Sequence, residues 1–275
     1  MSNLVGRLRN LGADTLLGMG LLALVLILGT VVPLVSPYDP LTSAGETFVA
    51  PSLAHPFGTD HLGRDVFTRA FAAVRLDLTL ALAGVAGPLL IGTLLGGVLG
   101  TTQNPIISGL WLILIDAINA FPFLVIVIGI VSMIGSGVEA LVIGLTMVNW
   151  ARYARIARAR ALQLRDADFI HATQVLGYSR ARVVLRHILP NVYSETLAYA
   201  LSDFVIVIIA ISGLSFLGVG VRPPEPEWGA MMADGRRFLM RSSWMTVYPG
   251  LILSITAIGV ALLAQGLVRR MRGGE

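Results

Sequence analysis

Two acidic residues, Asp116 and Asp203, lie within long apolar stretches of the chain. A carboxylate in such a stretch is costly in lipid, so each is expected to face protein or water. A series of such acids can relay protons or cations across a membrane. An interhelical hydrogen bond, or a position at a helix end, is the alternative interpretation. The residues alone leave both open.

A second group of side chains, His55, Asp60, His61 and Asp65, is chemically able to ligate a metal. Several prolines interrupt the surrounding loop, residues 36–77, so no helical register aligns the four groups. No Ser–His–acid arrangement or close carboxylate pair stands out elsewhere. We therefore predict neither a metal site nor a catalytic site, and the sequence does not favour a membrane-bound enzyme.

The third group consists of arginines. Residues 150–191 form the longest polar segment and hold eight of the twenty arginines. Arg152, Arg155 and Arg158 recur every third residue and would form one basic face on a helix. Such a face can bind acidic side chains or anionic lipid headgroups, the latter worth about 1 kcal/mol per arginine. Beside a membrane it is not expected to bind nucleic acid.

Two residue types are absent, lysine and cysteine. Without lysine the chain cannot contain a Walker A loop, whose lysine contacts the phosphates of ATP. Without cysteine it can form neither a disulfide nor a thiolate nucleophile. These absences exclude a phosphate-binding loop and thiol chemistry in this chain. We predict that the chain binds no cofactor, and an ATP-driven function would require hydrolysis on another subunit.

The composition predicts an all-α integral membrane protein. Of the 275 residues, 55% are hydrophobic and 13% charged, about half the charged fraction of a soluble domain, and the mean hydropathy is +0.79. About 20 apolar residues suffice for a helix to cross the hydrocarbon layer. Six transmembrane helices are predicted, at residues 16–35, 78–100, 106–133, 138–150, 196–214 and 247–268, with the third interrupted by Asp116 and Pro122.

Two local features refine this prediction. A short helix is expected at residues 63–75, before the second span. In the second span Gly92, Gly96 and Gly100 are spaced by four, which places them on one face where another helix can approach closely. The fourth span is expected to continue as a helix into the arginines.

The arginine distribution predicts the topology. The N-terminal tail with Arg7 and Arg9, the segment 150–191 and the C-terminal tail are arginine-rich, and such segments face the cytoplasm. Both termini are therefore expected to be cytoplasmic. We divide the chain into residues 1–76, with the tail, first span and outer loop, and residues 77–275, a five-helix core with a cytoplasmic loop at 151–191.

Residues 168–191, DFIHATQVLGYSRARVVLRHILPN, resemble the signature loop of ABC-importer permeases. In that family a Glu-Ala-Ala triplet precedes a glycine, and an Ile-Leu-Pro-Asn run follows. Gly177, Leu189 and Pro190 fit this pattern. The triplet departs from it, because His171, Ala172 and Thr173 stand in its place.

Further segments resemble the dipeptide, oligopeptide and nickel branch of the same family. They are HPFGTDHLGRD at residues 55–65, Asp116 with Pro122, SFLG at 215–218, PPEPEWG at 223–229 and YPG at 248–250. The order and spacing of these segments are specific. The usual ending of the last span is replaced by AQGL at 264–267.

The resemblance implies a permease subunit of an inner-membrane importer of dipeptides or oligopeptides, with nickel or a nickel chelate as the alternative substrate. It implies a second homologous permease, two ABC ATPase subunits that bind ATP and Mg²⁺, and an extracytoplasmic substrate-binding protein. The alternative of another class is a proton-coupled secondary transporter that uses Asp116 and Asp203.

The resemblance also implies site residues. A short coupling helix would begin near Asp166 and Asp168, lie across the membrane axis and end at Gly177, with Ile170, Val175 and Leu176 in the ATPase cleft. The implied ATPase-coupling residues are Asp168, Ile170, His171, Ala172, Thr173, Leu176, Gly177, Arg186, Leu189 and Pro190. The implied translocation-pathway residues are Asp116, Pro122 and Asp203.

Overall fold

The computed structural model describes residues 12–273, so Arg7 and Arg9 lie outside the described residues. This part of the chain forms helices and loops, and its one β-type contact is an isolated bridge between Thr59 and Asp65. The all-α prediction is confirmed. The helices are α1 (Ala13–Val35), α2 (Val66–Thr101), α3 (Pro105–Ala120), α4 (Phe123–Ile134), α5 (Val138–Arg165), α6 (Asp168–Val175), α7 (Arg180–Val183), α8 (Leu189–Phe216), α9 (Trp228–Gly235) and α10 (Trp244–Gly273).

Four helical segments of the described chain are long and apolar enough to cross a membrane: α1, α2, Arg180–Phe216 and Trp244–Arg270. The pair α3 and α4, bent by 91°, would make a fifth span. The bend lies at the predicted interruption, because Pro122 forces Phe121 into an extended conformation and α3 ends there. Helix α5 is too polar to qualify, since arginines fill its second half, so the count of six stays a prediction.

Helix α2 differs from the sequence expectation. The expected short helix and second span form one continuous helix of 36 residues. Asp65 caps its start by accepting a hydrogen bond from the Thr68 N–H (2.8 Å). Asp77 does not end the helix, because its buried carboxyl accepts the backbone N–H of Trp228 (3.2 Å). The proposed division between residues 76 and 77 therefore falls inside a helix.

Helices α2 and α5 pack with their backbones almost in contact. A Cβ atom built on Gly92 would lie 2.5 Å from the Trp150 carbonyl oxygen, and one on Gly96 would lie 2.2 Å from that of Ala154. A Cβ atom built on Gly100 would lie 2.5 Å from the Cβ atom of Ala161 and 2.8 Å from the Arg158 carbonyl oxygen. The predicted close-packing face is confirmed, and its partner is the helix that carries the arginines.

The first and last described helices pack antiparallel. A Cβ atom on Gly266 would fall 1.9 Å from the Thr15 hydroxyl oxygen, and the Arg269 guanidinium lies 3.3 Å from the Asp14 carboxylate. The beginning of α1 and the end of α10 therefore lie at the same end of the molecule, as an even number of spans requires.

The segment 55–65 folds into a compact loop over the start of α2. The His55 imidazole contacts Asp65 (2.9 Å), while Asp60 binds the Arg64 guanidinium (2.6 Å). The Trp244 indole of α10 donates to the Thr59 carbonyl (3.1 Å). Among residues 12–273 no group of three or more His, Cys, Asp or Glu side chains is placed to hold a metal ion. These residues connect the outer loop to the helices.

Candidate functional site

Helix α6 is attached to the rest of the chain by one face. Ile170 is 1% exposed and packs in a small apolar cluster. The other members of this cluster are Ala157, Ala161 and Leu164 of α5, Val183 of α7, Ile188 of the turn before α8, and Val192 of α8. The Thr173 hydroxyl lies on the same face and donates to the Ile170 carbonyl (2.7 Å). Helix α6 is therefore joined to α5 and α8 by direct packing.

The opposite face of α6 is exposed and apolar. Phe169 is 47% exposed, Val175 88% and Leu176 71%, and His171 and Ala172 are exposed beside them. Large apolar side chains on a surface of this kind mark an interaction site. Phe169 was absent from the predicted coupling residues. The spacing of residues 169, 172 and 176, which places them on one helical face, was the signal that could have found it.

The expectation that Ile170 enters an ATPase cleft is wrong. Residues 170 and 173 lie three apart, so they share one face of α6, and that face packs on α5. Val175 and Leu176 are exposed, as the same expectation required. Ile170 thus holds the helix in place, whereas its neighbours face outward.

Gly177 ends α6 with a φ of +77°, in the left-handed region that glycine adopts without strain. The N–H of Tyr178 bonds to the carbonyl of Thr173 (3.1 Å), the six-to-one bond of a Schellman motif. The predicted glycine turn is confirmed. Ser179 then caps α7 by accepting the N–H of Arg182.

The chain returns to the spans through a π-helical turn, Val184–Ile188. Pro190 follows at the start of α8, where proline lacks an N–H and cannot sit in a regular helix interior. The wider turn accommodates it, and the Leu189 N–H bonds to the Val184 carbonyl, five residues back. Leu189 packs against Gly97 of α2, while Arg186 and Pro190 are exposed.

The arginine ladder of α5, Arg152, Arg155 and Arg158, holds the bent pair α3–α4. Each of its members has a partner on that pair. Arg152 lies over the Phe123 ring (4.9 Å to its centre), Arg155 pairs with the Asp116 carboxylate, and Arg158 donates to the Ser108 hydroxyl (2.9 Å). The residue numbers of the three arginines increase along α5 while those of their partners decrease, so α5 runs antiparallel to the pair. The basic face predicted from spacing is thus an interhelical contact.

Asp203 is fully buried between α5 and α8. Its Oδ2 accepts hydrogen bonds from the Asn149 amide (2.6 Å) and the Tyr153 hydroxyl (2.9 Å). Asp116 and Pro122 are both exposed on the bent pair α3–α4. The structure therefore leaves Asp116 and Pro122 exposed and places Asp203 in the interior.

A bundle of apolar helices, with the short helix α6 packed against α5 and α8, is the architecture of a helical membrane protein. Residues 65–273 match the family described as binding-protein-dependent transport system inner membrane component. The chain belongs to this family. Its members are permease subunits of ABC transporters and are not themselves enzymes.

Two relatives agree with this assignment. The chain is 33% identical over 252 residues to a putative peptide transport system permease protein of Brucella suis biovar 1, covering 91% of this chain and 84% of that protein. It is 31% identical over 232 residues to the nickel transport system permease protein of Escherichia coli K12, covering 84% and 83%.

A solved structure shares the fold. The crystal structure of an amino acid ABC transporter with histidines aligns with a TM-score of 0.54 at 18% identity, covering 74% of this chain and 94% of that one. The family match and the two relatives assign the chain to ABC permeases, and not to the proton-coupled transporters that Asp116 and Asp203 had suggested. The protein is an inner-membrane component with several apolar helices.

Proposed function

We propose that the chain forms half of the translocation pathway of an ATP-driven importer of dipeptides or oligopeptides. The observation that carries the proposal is the exposed apolar face of α6, formed by Phe169, Val175 and Leu176. An ABC ATPase subunit docks there on the cytoplasmic side. The peptide relative supports the substrate class.

The packing around Ile170 would transmit a movement of α6 to the membrane-spanning helices. A push on α6 is passed to α5 and α8, because the apolar cluster joins these helices. Helix α5 is 28 residues long and is held to α2 by the glycine face and to α3–α4 by the arginine ladder. These helices therefore move together, as in a hinge-type transition between packed elements.

The partner subunits are inferred from the lysine that this chain lacks and from the apolar surface that α6 exposes. ATP and Mg²⁺ are bound by two partner ATPases, because a chain without lysine cannot form the usual phosphate loop. A second homologous permease supplies the other half of the pathway, and an extracytoplasmic binding protein delivers the substrate. Both termini face the cytoplasm, on the same side as α6.

The pathway runs along the surface opened by the bend between α3 and α4. Asp116 and Pro122 are exposed there, and the side chain of Asp116 is 64% exposed although it pairs with Arg155. Asp203 acts differently within the same pathway half, by binding α5 to α8. Its role is to maintain the shape of the pathway, without contacting the substrate.

Co-purification of the ATPase with the permease tests the docking surface. The double variant Phe169→Asp/Leu176→Asp places two charges on the apolar face and is expected to lose the ATPase. Met240→Asp is the matched control, because Met240 is fully exposed and lies outside α6, between α9 and α10. Retention of the ATPase by the double variant would contradict the proposal.

Nickel or a nickel chelate is the second candidate substrate, on the strength of the nickel relative. Calorimetry on the binding protein that works with this permease distinguishes the two, with dialanine, tetra-alanine, nickel chloride and a nickel–histidine chelate as probes. Heat on addition of peptides alone supports peptide import. Heat with nickel or its chelate and none with peptides would overturn it.

A further inference from the structure

A cavity of about 290 Å³ lies between the end of α2 and the segment that carries α6 and α7. Its rim is polar and includes Gln103, Arg165, Tyr178 and Arg180, whereas Ile170 and Ile188 contribute to an apolar floor. Its volume is at the lower end of the range for ligand pockets, about 300–1,000 Å³. It is therefore suited to one small group.

The charge of the cavity is positive. Arg165 comes from the end of α5 and Arg180 from the start of α7, so two elements each contribute a guanidinium. Arg165 uses Nε to contact Asp166 (3.1 Å), whose side chain is 69% exposed, and such exposed pairs are weak. Arg180 contacts the neutral side-chain oxygen of Gln103 (3.3 Å). Guanidinium groups with a polar rim are the chemistry that binds phosphate oxygens.

An apolar stripe on α2 leads to this cavity. Leu90, Leu94 and Val98 are each more than half exposed and are spaced by four residues, so they share one face. The next turn of the same helix reaches Thr101, which lines the cavity. Because α2 is a candidate span, the stripe lies at hydrocarbon depth and the cavity at headgroup level. This arrangement fits a lipid, whose acyl chains follow the stripe, better than a free phosphate ion.

The cavity is also separate from the ATPase docking surface. Ile170 lines the cavity from the inner face of α6, while Phe169 and Leu176 are exposed on the other face. A ligand behind α6 and a protein in front of it can therefore be bound together.

We propose that this cavity binds the phosphodiester headgroup of an anionic phospholipid of the cytoplasmic leaflet. Basic pockets between helices on this side of a membrane are suited to such headgroups. The bound headgroup fills the space between α6 and the end of α2 and stiffens the link between them. Binding itself does not depend on the proposed ATPase docking, although the cytoplasmic position of the cavity rests on the proposed topology.

The test is lipid retention by the purified importer complex after reconstitution in nanodiscs of mixed phosphatidylglycerol and phosphatidylcholine. Wild type is expected to retain phosphatidylglycerol selectively on extraction into detergent, as measured by native mass spectrometry. Arg165→Gln/Arg180→Gln should retain about tenfold less. The matched control is Arg160→Gln, which removes an arginine of α5 that contacts Gln163 and does not line the cavity.

Several results would overturn the proposal. Equal retention by the double variant would show that Arg165 and Arg180 do not bind the lipid. An equal loss in Arg160→Gln would show general attraction between arginines and lipid. Displacement of the lipid when the ATPase assembles would show that the ATPase fills the cavity. Binding of inorganic phosphate that depends on both arginines, without enrichment of phosphatidylglycerol, would show a site for the free ion.

A second measurement uses the wild-type complex, so it tests the proposal even if the double variant fails to assemble. A phosphatidylglycerol analogue with a photoactivatable headgroup is expected to label peptides that contain Gln103 or Tyr178, both of which line the cavity. Labelling confined to other peptides would contradict the assignment.

Discussion

Gly96 of α2 lies against the backbone of Ala154 in α5, so closely that a Cβ atom on Gly96 would fall 2.2 Å from the Ala154 carbonyl oxygen. Non-bonded heavy atoms prefer separations of about 3.5–4.0 Å. No side chain fits without moving one of the two helices. This contact joins α5, the helix that leads into α6, to α2, the longest single α-helix of the described residues.

Substitution of Gly96 by alanine should therefore destabilise the protein. Overpacking of a tight contact typically costs about 1–3 kcal/mol. We expect a lower midpoint of thermal unfolding for the purified chain in detergent. Gly109→Ala is the control, because a Cβ atom there meets nothing within 4 Å and alanine favours the helix. Equal midpoints for Gly96→Ala and wild type would show that the helices are further apart than described.

A buried carboxyl pair connects α2 to the loop before α9. Asp77 and Glu227 are both fully buried, and two neighbouring carboxylates without water repel each other, so we expect one of them to carry a proton. Glu227 also accepts the backbone N–H groups of Gly229 (2.9 Å) and Ala230 (2.7 Å), at the start of α9. Burial raises the pKa of Glu227 above its ordinary value.

The raised pKa sets the sign of a pH effect. Between the unfolded and folded pKa values the folded state binds more protons, so stability decreases as pH rises through this range. The contribution is complete below the unfolded pKa of Glu227, about 4.3. Thermal unfolding measured from about pH 5 to about pH 9 should show the decline.

The variant Asp77→Asn isolates this effect. Its amide donates to Glu227 without a shared proton, and its carbonyl can still accept the Trp228 N–H. We expect Asp77→Asn to match or exceed wild type at high pH and to show a weaker pH dependence. Asp77→Ala should be less stable, because it leaves the Trp228 N–H unpaired. An unchanged pH dependence in Asp77→Asn would show that the pair does not share a proton.

The pairing of Arg155 with Asp116 predicts a charge-swap result. Asp116→Arg places two cations together where α5 meets α3 and should lower uptake in reconstituted vesicles. The double variant Asp116→Arg/Arg155→Asp restores opposite charges and should recover most of the activity. Asp116→Asn should retain uptake, because Asn can still accept from Arg155. Complete loss in Asp116→Asn would instead indicate a proton carrier.

Local sequence signals predicted much of this structure. The spacing of the glycines in α2 predicted the close helix contact, and Gly177 predicted the turn after α6, because both depend on residues near one another in the chain. The bend at Pro122 was also predictable, since proline acts on its immediate neighbours.

Long-range contacts were not predictable in this way. Asp77 was placed in a loop because it is an acidic residue next to an apolar stretch. Its partner Trp228 is 151 residues away, and no local pattern reveals that the Asp77 carboxyl is buried. The hydrogen bonds of Asp203 also come from another helix. Ile170 was assigned to the wrong face, although the three-residue spacing to Thr173 could have indicated the buried side. The spacing of the three arginines in α5 predicted a basic face. Their partners on α3 and α4 are identified only by the structure.

Gly177 offers the most direct test of coupling through α6. Its φ of +77° strains most L-residues, typically by about 1–3 kcal/mol, whereas a Cβ atom there meets nothing within 4 Å. Gly177→Glu should therefore alter the end of α6 without a steric clash. Gly177→Asn is the control, because asparagine tolerates this conformation.

The measurement is peptide uptake and ATP hydrolysis by the assembled complex in proteoliposomes. Gly177→Glu is expected to retain its ATPase partners and hydrolyse ATP, while uptake falls about tenfold and Gly177→Asn transports almost normally. Normal uptake by Gly177→Glu would contradict the claim that α6 couples the ATPases to the membrane helices.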